Sequence, residues 1–197
     1  LVTLLALLAL AGMPGCALRD IPRPTLPAGL PAGVPLELAA TPFFPQQEFH
    51  CGPAALATVL GASGVDVEPD TLAPLLYVPD RRGSFQVELA ALPRRFDRLA
   101  VAIDGTLDAI VGQLALGRPV LVLQNLALER WPRWHYAVVI GYDPAADRFL
   151  LRSGTRARES VATARFLATW LRAGRWGLVI LEPGTRPTGL GSEAYLK

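Results

Sequence analysis

The sequence holds only two cysteines, Cys16 and Cys51, and only two histidines, His50 and His135, in 197 residues. At most one disulfide can form, and no ligand pair has zinc-binding spacing, so neither a disulfide framework nor a metal site is expected. The net charge is +2, and the basic residues, mostly arginines, are scattered along the chain. No dense basic block marks a nucleic-acid face, so no nucleic-acid partner is expected. There is no internal repeat, no Walker-type phosphate loop and no transporter segment, and no cofactor is implied. The first apolar run, residues 1–12, falls short of the ~20 residues that a membrane-crossing helix needs. Against these shortages stands an apolar content of 51%, enough for a packed core in one domain.

Residues 1–16 read as a targeting segment outside the fold. The apolar run fits a signal-peptide h-region. No Lys or Arg precedes it and the chain does not begin with Met, so a basic n-region is read as lost. The run ends at Met13-Pro14-Gly15-Cys16, where a small residue before a cysteine resembles a bacterial lipobox, although Met13 and Pro14 depart from its usual residues. The expectation is a lipid on Cys16, a membrane partner through that anchor, and an exported chain facing the periplasm. Ordinary signal cleavage and a buried N-terminal helix are the alternatives. With Cys16 lipidated, Cys51 would be the only free thiol in an oxidising compartment, where unpaired cysteines are unusual. A Cys16–Cys51 disulfide is the bland reading of the same pair.

Residues 17–41 contain five prolines and no convincing period, which predicts an extended tether. The globular domain is expected over residues 42–183, with a tail at 184–197 that ends in the start of a helix at 192–197. Within the domain, residues 51–61 predict a helix with Pro53 in its first turn. Further helices are predicted at 70–77, at 85–92 with Ser84 as its cap and Pro93 as its stop, at 106–117 and at 166–172. Strands are predicted at 99–103, 119–123, 136–141, 148–151 and 176–181, with 136–141 and 148–151 joined in a hairpin by a turn over 143–147. Helices come first and mostly antiparallel strands later. That order predicts an α+β fold.

The stretch QEFHCGPAALATVL, residues 47–60, places one of the two cysteines at a helix start. Cys51 is either a small buried hydrophobe or a reactive thiol. A helix N-terminus carries partial positive charge and unpaired N–H groups, which stabilise a thiolate and lower its pKa. Such a nucleophile needs a base. His50 adjoins it, but neighbouring side chains at a loop-to-helix junction usually diverge. His135 opens a strand behind the aromatic loop Trp131-Pro-Arg-Trp134 and is the better partner. Attack on a carbonyl also needs preset oxyanion donors. The Cys51 N–H is one, and Gln46 or Gln47 is a candidate for the second.

The segment Pro45-Gln46 through Cys51-Gly52-Pro53-Ala54-Ala55-Leu56, followed by His135-Tyr-Ala-Val-Val-Ile-Gly141-Tyr142-Asp143, resembles the C39-like cysteine peptidases. These are papain-like enzymes related to the bacteriocin-processing peptidase domain, and the exported lipoprotein-type members look most similar. The resemblance covers about residues 42–182. It implies a papain-like fold in which N-terminal helices, with the nucleophile at a helix start, pack on a mostly antiparallel sheet. It implies a peptide or protein substrate, with Cys51 as nucleophile, His135 as base and acid, and Gln46 as oxyanion donor, Gln47 remaining open. The family usually places Asp or Asn on the strand after the histidine hairpin. Here Ser153 occupies that position, with Asp143 or no third member as the alternatives. The expected function is a cysteine peptidase cutting a peptide or amide bond. The alternatives are a weak or inactive papain-like peptide-binding domain, and an acyl or amide transferase with the same thiol chemistry. The double-glycine substrate of the transporter-fused relatives is not carried over.

Overall fold

The computed structural model describes residues 22–31, 33–46 and 50–185. Among these residues seven strands form one sheet, and every pairing in it is antiparallel. The strands are β1 (Leu36–Glu37), β2 (Leu99–Ala102), β3 (Val120–Asn125), β4 (Trp134–Asp143), β5 (Arg148–Ser153), β6 (Arg156–Ala162) and β7 (Gly177–Leu181). Their order is β2-β7-β3-β4-β5-β6, and β1 pairs with β4 beyond the end of β3. The helices are α1 (Cys51–Ala62), α2 (Pro69–Leu76), α3 (Gln86–Ala91), α4 (Leu107–Ala115) and α5 (Thr163–Leu171). The α+β expectation therefore holds.

Apolar side chains alternate between the two faces of the sheet, as the pleat requires. Leu121, Leu123, Tyr136, Val138, Leu178 and Ile180 join the core formed with α1, α2 and α3. Val120, Val122, Ala137, Val139, Val179 and Leu181 join the core beneath α4 and α5. Helices on both faces explain why β3 and β7 read as continuous apolar runs and not as alternating ones. In β4 the register with β5 jumps from Val139–Leu151 to Gly141–Leu150, so Ile140 is an extra, bulged residue. The bulge reverses the phase of the strand and turns Tyr142 towards α5. There Tyr142, Phe149, Phe166 and Trp170 form a chain of ring contacts at 4.9, 4.6 and 5.7 Å. Gly141 lets β1 approach: an added Cβ would lie 2.5 Å from the Leu36 carbonyl oxygen.

The tether reading of residues 17–41 does not hold where they are described. Leu26, Leu36 and Leu38 pack on the core beneath α4 and α5. The Thr25 N–H donates to Asp108 at 2.7 Å. The Arg152 guanidinium donates to the carbonyls of Ala39 and Thr41 from one side and of Ala157 from the other. Arg158 makes two bonds to the Glu37 carboxylate at 2.8 and 2.9 Å. Prolines remove donors, but they leave the intervening leucines free to dock.

Three smaller expectations are also corrected. β6 has no counterpart in the sequence reading, because its RARESVA sequence is polar and its pattern suits a charged edge strand. α5 begins at Thr163, where both the N–H and the hydroxyl donate to the Asp147 carbonyl. Ser84 does not cap α3, since Phe85 holds the N-cap position with no side-chain cap. The α-helix ends at Ala91, before Pro93 as expected, and the chain then tightens into a 3-10 turn over Leu92–Phe96. The segments 184–197, apart from 184–185, and 1–21 lie outside the described residues, as do Cys16 and Gln47.

Candidate active site

The first helical residue of α1 is Cys51. Its N-cap, His50, has non-helical dihedrals, and the first intrahelical bond runs from the Ala54 N–H to the His50 carbonyl at 3.2 Å. From Gly52 to Leu60 every residue of α1 is buried. This helix is sunk into the protein and presents only its N-terminal end to a cavity. Gly52 makes that seating possible: a Cβ there would fall 2.5 Å from Ser84 Oγ and 2.7 Å from Ser84 Cβ. The Tyr136 hydroxyl closes the same corner by donating to the Ser84 carbonyl at 3.2 Å.

Three other segments meet at the cavity that Cys51 lines. The Tyr136 N–H at the start of β4 points at the sulfur, as do the N–H groups of Gly52 and Cys51 itself. The Gln46 side-chain amide donates to the Tyr136 carbonyl at 3.2 Å, which brings that amide to the same strand residue. The Gln46 backbone N–H donates to the Gly154 carbonyl at 3.0 Å, and Gly154 takes the left-handed conformation (φ +59°) that the β5–β6 turn requires. Ser153, next to it, lies 3.0 Å from His135 Nε2 through its hydroxyl. One tight turn thus positions both Gln46 and Ser153. The β4–β5 register explains the second contact: Val138 faces Arg152, which sets Ser153 beside Ala137 and diagonal to His135 on one face.

Gln46, Cys51, His135 and Ser153 all line one cavity of about 710 Å³. Cys51 is a free thiol. Burial pushes it up, outweighing the three N–H groups that favour the thiolate. Burial also lowers His135, against the pull of the Glu159 carboxylate, with Arg133 adding to the lowering. The expected fall in the Cys51 pKa is therefore reversed, because desolvation wins over the helix terminus. Among the described residues no hydrogen bond links the sulfur to the imidazole. Both shifts favour the neutral forms, a thiol on Cys51 and an uncharged imidazole on His135.

Residues 39–177 match the sequence model of the Peptidase_C39 like family. The chain belongs to that family. Its fold is similar to a solved C39-like peptidase of Bacillus anthracis, with TM-score 0.66 and 17% identity over 77% of this chain and all of that one. It is also similar to the peptidase domain of Streptococcus ComA, a bi-functional ABC transporter, with TM-score 0.55 and 20% identity over 72% of this chain and 96% of that one. A third match is a double-glycine-motif protease from an AMS/PCAT transporter, solved with a leader peptide, with TM-score 0.53 and 17% identity over 71% and 89%. No curated protein matches the chain.

The other candidates sit elsewhere in this C39-like domain. His50 packs edge-on against Tyr77 at 5.4 Å and lines a separate, smaller cavity with Phe44 and Pro45. Asp143 ends β4 at the far end from His135, and its carboxylate accepts the N–H groups of Ala145 and Ala146 to form the turn. It is committed there and cannot orient the imidazole. Glu159, which the sequence reading missed, is the carboxylate that acts on His135. The β5–β6 register places it opposite Leu151, on the face that carries Ser153, and Arg156 pairs with it at 2.7 Å. Recognising RARESVA as an edge strand of the hairpin would have found it.

Proposed function

We propose that the chain is a thiol-dependent peptidase in which Cys51 attacks a peptide carbonyl. The observation that carries this reading is the single cavity lined by Cys51, His135, Gln46 and Ser153. Ser153 engages His135 Nε2, which leaves Nδ1 as the nitrogen that takes the thiol proton. As the S–C bond forms, the carbonyl oxygen becomes an oxyanion. The Cys51 N–H at the start of α1 meets it, together with the second hydrogen of the Gln46 amide, whose first goes to Tyr136. His135 then returns the proton to the leaving amine, and water hydrolyses the acyl-enzyme with His135 as base. A peptide substrate is supported by the leader peptide bound to the transporter-derived relative. Export and a lipid on Cys16 complete the proposal.

A second reading, a domain that binds peptides without cutting them, is favoured by a hydroxyl at position 153 and by the unlinked thiol and imidazole. New termini read by mass spectrometry from a defined peptide library distinguish the two. Cleavage that disappears when iodoacetamide modifies Cys51 supports the peptidase. Peptides retained uncut support the binder.

Catalysis from the neutral pair sets the pH profile. His135 accepts a proton only while neutral, and its pKa is lowered, so the acidic limb of kcat/KM falls below the ordinary imidazole value of about 6.5. The thiol is pushed up, so the alkaline limb lies above the ordinary thiol value of about 8.5. Glu159→Gln removes the charge that holds the imidazole up and moves the acidic limb lower still. An acidic limb above the ordinary imidazole value would contradict the neutral pair.

Gln46→Ala lowers kcat by about 10²-fold, the scale for loss of one oxyanion donor, with KM little changed. Steady-state kinetics check this, and a fall confined to KM would assign Gln46 to binding alone.

A further inference from the structure

The whole chain carries a net charge of only +2, yet the cavity that holds Cys51 is lined by five arginines and a single glutamate. The glutamate, Glu159, is already paired with Arg156 at 2.7 Å. The remaining cationic groups come from separate elements that the fold gathers at one cleft. Arg165, Ala168, Thr169 and the C-cap residue Arg172 follow the spacing of one helical face, so α5 and its cap form a wall of the cavity with a guanidinium at each end and small residues between. Arg165 and Arg133 are exposed, and no carboxylate pairs with either among the described residues.

Two of these arginines are placed by one buried residue, through its side chain and its backbone carbonyl. Asn125, 1% exposed at the end of β3, accepts the Arg133 backbone N–H on its side-chain oxygen at 3.0 Å. Its own carbonyl accepts from the Arg172 guanidinium at 3.1 and 3.3 Å. That carbonyl is neutral, so the Arg172 charge is oriented without being cancelled. A cleft of this kind raises the local concentration of anions and penalises cations.

We propose that the cleft selects acidic peptides, holding substrate carboxylates between the Cys51 thiol and α5. This names the substrate class for the peptidase reading and rests on that reading for the cutting step, but not for the binding step. Arg165 and Arg133 give the selectivity, and Arg172 adds a fixed charge at the far end of the α5 wall. Arginine suits the role because its planar fork binds carboxylates in two-bond geometry.

The test uses the full chain carrying Cys51→Ala, so that bound peptide is not consumed. Three fluorescein-labelled peptides of equal length alternate glycine with glutamate, glutamine or lysine, and binding is read by anisotropy. The glutamate peptide binds about tenfold more tightly than the glutamine peptide, and added salt closes the gap. Arg165→Glu and Arg133→Glu each weaken it about tenfold with the circular dichroism unchanged. Equal affinity for the three peptides overturns the proposal, as does a preference that neither reversal alters. Binding of phosphatidylglycerol-containing vesicles, sensitive to Arg165→Glu, with the glutamate peptide left unbound, also overturns it in favour of a lipid surface. Tight glutamate-peptide binding without cleavage by the wild-type chain supports acidic selection and overturns the peptidase reading alone.

Discussion

Cys51→Ala lowers kcat/KM for peptide hydrolysis by at least ~10³-fold while the protein stays folded. The sulfur is the nucleophile in the proposed mechanism, and water placed by the same cavity is a much weaker one. The fold survives because alanine is a good helix former, and position 51 is only partly buried at the first turn. His135→Ala falls by a similar factor, since a thiol pushed up by burial does not ionise unaided at neutral pH. The double variant is then hardly worse than either single one, because the two residues act as a unit. Steady-state rates, together with thermal melts of each variant, decide this. If Cys51→Ala kept a tenth of the activity, the thiol would not be the nucleophile.

The second large effect comes from one methyl group. Gly52→Ala puts a Cβ 2.5 Å from Ser84 Oγ and 2.7 Å from Ser84 Cβ. The hydroxyl could rotate away, but Ser84 Cβ moves only with its backbone, and the carbonyl of that residue is bonded to the Tyr136 hydroxyl. Helix α1 must therefore shift at its first turn, where the sulfur sits. Overpacking of this kind costs about 1–3 kcal/mol of stability. A displacement approaching 1 Å at the nucleophile costs about 10²-fold in rate. Ser84→Gly in the same chain removes both clashing atoms and restores most of each loss. A melt and a rate measured on the single and double variants test this, and failure of Ser84→Gly to rescue would place the strain elsewhere.

Much of this site was legible before folding because its residues announce themselves locally. Cys51-Gly-Pro marks a helix start, His135 leads an apolar strand, and Gln46 stands a few residues upstream. Their convergence on Tyr136 was not legible, because it depends on backbone groups that every residue possesses. Ser153 was one of three readings for the third position, and its hydroxyl lies 3.0 Å from His135, but Glu159 was missed. Its strand is polar on both sides, so no apolar alternation exposes it, and only its pairing with β5 reveals which way it faces. The burial of Cys51 was likewise misjudged in its consequence. A helix terminus can be read from sequence, but the desolvation that overrides it depends on how deeply α1 is sunk. The arginines teach the same lesson in reverse: scattered along the chain, they are gathered by the fold around one cleft. For the sheet, the apolar strands were found and the two-residue β1 was not, since its partners are 104 and 106 residues away.

The fastening of β1 and its flanks shortens the leash on which a lipid-anchored form of this protein would hang. Arg23 pairs with Asp147 at 3.4 Å, and from Thr25 onward the segment is bonded to the domain. A lipid on Cys16 would then sit roughly seven residues from the first attachment, a span of at most about 25 Å. A free tether running to residue 41 would have reached more than about 80 Å. On that proposal the enzyme patrols a thin layer next to the bilayer, and its substrates are those that come to, or emerge from, the membrane surface.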